Sequence, residues 1–300
     1  MGTHMATTPV TSYRDLRASI QSEKDDRIRA HQAHVATAKR MSMTLAAGQP
    51  GATLNLIAQG DSWFDYPLPI PVVDQSDVVA HLKRLPSMSP EVLSLAHHGE
   101  AAEDMLGVKK LHELLAQLSD SANGKFDAIL FSGGGNDLAG DQFRLWLNNA
   151  AASGSNPTKG LNAGRVACIL GVVKAGYEDL MAARDTIDHS IPIFAHSYDF
   201  AIPSGVGVAC AGPWLRPGLD DRGWTSPAPA RAIVKDLLLQ FNALLDGYAT
   251  NAASNFVHVQ TQGTLSDGQW ANELHPTPTG FAVITAKFVD ALRLRFPGRI

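Results

Sequence analysis

Short apolar runs alternate along this chain with longer segments whose apolar residues recur at three- and four-residue spacing. Residues 54–58, 93–99, 126–132, 191–196 and 256–260 read as buried strands, each closed by glycine, histidine, asparagine or other turn-forming positions. Between them, residues 74–85 (Val78, Val79, Leu82, Leu85) and 103–118 (Met105, Leu106, Leu111, Leu114, Leu115, Leu118) show helical spacing. Residues 142–150, 166–187, 231–249 and 279–294 read as helices too, with a Ser/Gly/Asn/Pro loop at 151–159. Strands alternating with helices predict a parallel sheet covered on both faces: an α/β, three-layer αβα sandwich with five parallel strands, flavodoxin-like in general plan.

Two stretches stand outside that alternation. Residues 13–47 are rich in Lys, Arg, Gln and Ala, favour helix and precede the first strand, so 5–53 reads as a helical extension. It is either solvated, packed on the domain, or the contact of an oligomer. Residues 198–229 hold Gly, Pro, Trp214 and Trp224 without periodicity, too long for a plain connection; they predict a lid or pocket wall inserted in a single domain spanning 54–300.

A composition of 45% hydrophobic and 18% charged residues supports one sizeable core. The net charge of -4, without a basic cluster, argues against nucleic acid as a partner. No apolar run reaches 18 residues, so no membrane span is expected. Cys168 in a helix and Cys210 in a loop have no metal-ligand spacing and read as free thiols of a reducing compartment. Met1 to His4 reads as a cloning remnant ahead of Met5, and the residues after Met5 lack a signal peptide's layout, giving a cytoplasmic expectation.

The chemistry concentrates at strand ends. Asp61-Ser62 sits on the turn leaving the first strand, where an open α/β sheet places its ligands. A serine there is either a nucleophile or a helix cap. The second strand ends in His97-His98-Gly99, the third in Ser-Gly-Gly-Gly-Asn-Asp (132–137), and Glu273-Leu274-His275-Pro276 precedes the last helix. In that order, Gly60-Asp61-Ser62, Gly99, Gly134-Gly135-Asn136-Asp137 and His275 resemble the SGNH (GDSL-type) hydrolase family from about residue 54 to 297. The triple glycine lacks the Gly-Lys-Ser/Thr of a phosphate loop.

The resemblance implies a serine esterase that uses neither metal nor other cofactor and acts on a small-molecule or lipid-like ester. Ser62 would be its nucleophile and His275 its base. The backbone amides of Ser62 and Gly99 and the side chain of Asn136 would form the oxyanion hole. Transfer to an alcohol acceptor, and a non-catalytic binding protein, are the alternatives. One departure matters: the family usually carries aspartate three residues before the histidine, where this chain has Asn272. Asn272 could orient the ring, or Glu273 or Asp267 could replace the acid. A second departure puts His97 where asparagine is common. The aromatic residues Trp63, Phe64 and Tyr66 after the serine, with Tyr198, Trp214 and Trp224 in the insertion, are the expected pocket lining, and they favour an apolar acyl or aryl group. Trp63 and Phe64 could equally anchor the turn in the core.

Overall fold

The computed structural model describes residues 13–44, 53–66, 76–98, 107–208 and 211–300. Five parallel strands, β1 (Asn55–Gly60), β2 (Glu91–Ser94), β3 (Ala128–Ser132), β4 (Ile193–His196) and β5 (Phe256–Val259), form one sheet in the order β2-β1-β3-β4-β5. This is the doubly wound order in which the winding reverses between β1 and β3. Every residue of β3 and β4 is buried, and a strand covered on both faces shows up in the sequence as an unbroken apolar run.

The helices are α1 (Tyr13–Thr44), α2 (Val78–Leu82), α3 (Val108–Ser119), α4 (Gly135–Leu138), α5 (Phe143–Trp146), α6 (Ala163–Asp188), α7 (Arg216–Asp221), α8 (Pro227–Ala249) and α9 (Pro278–Arg295). On one face Phe131 of β3 packs edge-on against Tyr177 of α6, which meets Phe241 of α8. On the other, His196 of β4 packs against Phe288 of α9. Helix α8 opens on Pro227, whose fixed φ suits a first turn, and buries Ile233, Val234, Leu237, Leu238, Phe241 and Leu245 at helical spacing. At about 1.5–3 kcal/mol for each large side chain, that stripe rather than intrinsic propensity holds the helix.

The structure differs from the sequence reading at several elements. The helix expected at 74–85 is a single turn capped by the Asp77 carboxylate, which accepts from Ala80 N–H at 2.8 Å. That expected at 142–150 shrinks to α5, because Leu147 leaves it to pair with Leu161. The insertion is not wholly irregular: it contains α7 and the start of α8. Expected helical residues 103–106, and Cys210, lie outside the described residues, and among those described no helix is long and apolar enough to cross a membrane.

Helix α1 lies on its own domain beside β2. Lys24, 3% exposed, pairs with Glu113 of α3 at 3.2 Å, and buried His31 stacks on Phe126 with ring centroids 5.6 Å apart. Arg27 donates to the Ala96 carbonyl at 3.0 Å and to Asp65 at 2.9 Å. The most buried anchors are polar, with Ile28 packed against the core beside them. Arg27→Ala removes one donor from a buried carboxylate and one from the carbonyl beyond β2, so it should lower unfolding free energy by about 1–3 kcal/mol in a urea titration. An unchanged midpoint would mean that α1 is held elsewhere.

Candidate active site

The carboxyl ends of β1 and β3, next to each other where the winding reverses, carry the candidate chemistry. After β1 the chain makes one tight turn, with Phe64 N–H and Asp65 N–H donating to the Asp61 carbonyl at 3.0 and 3.1 Å. A Cβ on Gly60 would lie 2.9 Å from both Phe64 and Ser132, so only glycine fits there. Asp61, not Ser62, caps the turn, its carboxylate accepting from Trp63 N–H at 3.0 Å. The Ser62 hydroxyl instead lies 2.7 Å from His275 Nε2.

His275 Nδ1 lies 2.9 Å from Asn272 Oδ1. An amide oxygen only accepts, so Nδ1 carries the hydrogen and Nε2 keeps a lone pair for the serine proton. The loop that presents His275 is closed by Thr277 N–H to the Gln269 carbonyl at 2.8 Å and Ala271 N–H to the His275 carbonyl at 2.9 Å. Asn272 Oδ1 also accepts from the backbone of Leu274 and His275, each at 3.0 Å. Trp63 Nε1 donates to the Leu274 carbonyl at 3.0 Å, a strut between the serine turn and the histidine loop. Burial, with a smaller contribution from the charge of His98, lowers the His275 pKa to about 4.

Both rivals for the third position are committed elsewhere. Glu273 is fully buried and accepts four backbone N–H groups, from Gly205 (2.9 Å), Trp214 (2.6 Å), Leu215 (2.7 Å) and Arg216 (3.0 Å). It clamps the insertion. Asp267 points outward in a two-bond pair with Arg231.

Beneath the serine turn lies a buried polar network. Tyr198 N–H donates to His196 Nδ1 at 3.2 Å, which leaves the hydrogen on Nε2 to donate to Ser132 Oγ at 2.9 Å. Ser132 in turn donates to Asp61 Oδ1 at 2.8 Å, and the Tyr198 hydroxyl to Asp61 Oδ2 at 2.5 Å. Burial raises the Asp61 pKa to about 6 despite these donors, and holds that of His196 down at about 3. The Tyr198 hydroxyl also accepts from Gly135 N–H at 3.1 Å, and a Cβ on Gly135 would sit 2.6 Å from the tyrosine ring. Tyr198 adopts φ of 60°, a left-handed conformation that aromatic residues rarely take, and this is what turns its ring back toward β1 and β3.

Asn136 follows Gly135 inside the single turn α4, so it caps no helix, and it faces the same pocket as Ser62 and His275. Gly99 lies outside the described residues; just before it, His97 N–H donates to the Gly60 carbonyl at 2.9 Å. His97 and His98 stack on each other, and His98 sits 3.7 Å from Asp65, on the side facing α1.

The pocket is a small, partly open cleft of about 50 Å³. Its wall is Leu138, Ala139, Leu215, Val234, Leu237 and Leu238, with Trp63, Tyr198 and Trp270 nearer the serine. Of the aromatics expected there, Trp63 and Tyr198 line it. Phe64 instead packs in the core against His196 and Phe288, and Trp224, 2% exposed, donates its indole N–H to the Asn148 carbonyl. Tyr66 and Trp214 stand against the His275 ring rather than on the pocket wall. The α8 residues were hidden from the sequence because a pocket wall and a core stripe share the same spacing. A second Ser–His–Asp alignment, Ser197–His258–Asp246 at 3.1 and 2.7 Å, is a brace: Ser197 is fully buried and donates to Asn242.

No family model and no curated protein matches the chain. Similar solved structures include a mutant acetyl-xylooligosaccharide esterase from Geobacillus Stearmophilus, 17% identical over 82% of this chain and 96% of that one, with a TM-score of 0.46. The lipase Lip_vut3 from a goat rumen metagenome is 15% identical over 80% and 97%, with a TM-score of 0.47. A carbohydrate esterase family 3 protein from Talaromyces cellulolyticus is 14% identical over 81% and 98%, with a TM-score of 0.43.

Glu273→Ala removes the buried acceptor of four backbone N–H groups. It should cost on the order of 3 kcal/mol and open residues 204–216 to limited proteolysis. Unchanged melting and proteolysis would show that the carboxylate does not hold the insertion.

Proposed function

We propose that the chain is a serine ester hydrolase of the SGNH (GDSL) type, acting on carboxylic esters or thioesters with an apolar acyl group. The observation that carries this is the continuous chain Ser62 Oγ, His275 Nε2, His275 Nδ1, Asn272 Oδ1, at 2.7 and 2.9 Å, opening on an apolar pocket that Asn136 also faces.

In this reading Ser62 Oγ attacks the acyl carbon as His275 Nε2 takes its proton, and the carbonyl π electrons move onto oxygen. That oxygen is met by Asn136 Nδ2 and the backbone N–H groups of Ser62 and Gly99. Collapse expels the alkoxide or thiolate, which takes the proton from His275 and leaves an acyl ester on Ser62. Water, deprotonated by the same nitrogen, then releases the acid. Asn272 fixes the tautomer but supplies no countercharge. An acyl chain extends past Leu138 and Ala139 toward Leu237 and Leu238. The small cavity favours short acyl chains over palmitate.

A p-nitrophenyl ester panel from acetate to palmitate tests the reading. Turnover should be highest for short acyl chains and disappear in Ser62→Ala without change in melting; a variant keeping a tenth of wild-type turnover would rule Ser62 out. Asn136→Ala should lower kcat on the order of 10²–10³-fold with a smaller change in KM, and an unchanged kcat would remove it from the oxyanion hole.

The base must be neutral to accept a proton. With the His275 pKa lowered to about 4 by burial, kcat/KM should stay level from neutral pH down to about 5 and fall only below that. An acidic limb at the ordinary histidine value would contradict a buried, unpaired imidazole.

A further inference from the structure

His275 is boxed by two aromatic rings that its hydrogen bonds do not explain. The Tyr66 ring lies 4.9 Å from it, centroid to centroid, tilted by 47°, and the Trp214 ring 5.5 Å away at 80°. Both are within the distance at which an aromatic face attracts a cation. The imidazole's own hydrogen bonds go to a hydroxyl and an amide oxygen, neither of which carries charge. The surrounding charged groups are already engaged. Glu273 is spent on four amides, Asp199 on those of Gly263, Thr264 and Leu265, Asp61 on the polar network under the turn, Asp65 on Arg27, and Arg216 on Asp220. His98, when charged, opposes a positive charge on the ring.

Both rings are held firmly in place. Tyr66 is buried, its N–H donates to Asp77 at 3.3 Å, and its hydroxyl accepts from Asn272 Nδ2 at 3.4 Å. Trp214 is fixed by its own N–H on Glu273, and the indole lies over Gly212, where a Cβ would come within 2.7 Å. The clamp on the insertion therefore also sets a ring against the base.

We propose that Tyr66 and Trp214 are positioning residues that carry the positive charge arising on His275 during acyl transfer, in the role a triad carboxylate fills where one is present. This rests on the ester hydrolase reading above. When His275 takes the Ser62 proton, the imidazolium gains ring quadrupoles in place of an anion, and Asn272 serves for orientation alone.

The test has an arm that needs no turnover. In Ser62→Ala, whose fold persists without reaction, the His275 ring is titrated by NMR with and without Trp214→Leu. Leucine keeps an apolar cover but removes the π face, so the His275 pKa should fall further, on the order of one unit. If Trp214 only shields the ring from water, the added hydration raises the pKa, and a rise or no change overturns the proposal. In active enzyme, Trp214→Leu should lower kcat about 10-fold with KM less affected, and Trp214→Phe should lose less. In an Asn272→Asp background the same leucine substitution should cost clearly less, because the carboxylate now supplies the countercharge. Equal losses in both backgrounds would overturn the proposal, whereas absence of ester turnover in the wild type would sink the hydrolase reading and leave the titration result standing.

Discussion

The buried Asp61 carboxylate is the constraint on which the rest of the site depends. A carboxylate 2% exposed at the end of a parallel sheet is costly unless its oxygens are satisfied. Its donors come from three different strand ends: Trp63 N–H from the β1 turn, Ser132 from β3, and Tyr198 from the chain leaving β4. The same tyrosine oxygen accepts from Gly135 N–H, one residue before Asn136. Satisfying one buried acid thus fixes the serine turn relative to the loop that faces it across the pocket. The left-handed backbone of Tyr198 is an unfavourable conformation of a kind that persists where the surroundings over-determine it.

A second buried acid does the corresponding work for the base. Glu273 gathers four amides of the insertion, which seats Trp214 beside His275. Trp63 joins the two halves, its indole N–H tying the serine turn to the histidine loop while its ring packs among Tyr198, Trp270 and Phe281. Neither acid touches the imidazole. Both carboxylates adjoin Ser62 and His275 in sequence, yet their chemistry is spent on shape, and the ring is left with a neutral partner in a buried setting.

Much of this was legible in the chain. Five short, mainly apolar runs marked the buried strands, and the alternation with helical spacing marked a doubly wound sheet. Asn136, Asn272 and His275 could be singled out through the resemblance of the ordered motifs to a known family, since turn chemistry alone leaves Ser62 either a nucleophile or a cap. The roles of Glu273 and Asp61 could not be read, because what decides them is which distant backbone amides and hydroxyls arrive, 57 to 68 residues away for Glu273 and 71 to 137 for the Asp61 side-chain donors. The same holds for Phe64 and Trp224, whose aromatic character fits a pocket or a core equally well. Helix α1 looked solvated because its anchors, Lys24, Arg27 and His31, are polar residues whose docking depends on distant Glu113, Asp65 and Phe126.

The central claim is that Ser62 is a nucleophile activated by His275, and covalent capture tests it without assuming a substrate. The protein is incubated with a fluorophosphonate, and the adduct is read by intact mass and peptide mapping in wild type and in His275→Ala. The account predicts one adduct per chain, on the peptide carrying Ser62, formed far more slowly when His275 is replaced. No adduct, an adduct on another residue such as Ser197, or equal rates in both proteins would contradict it.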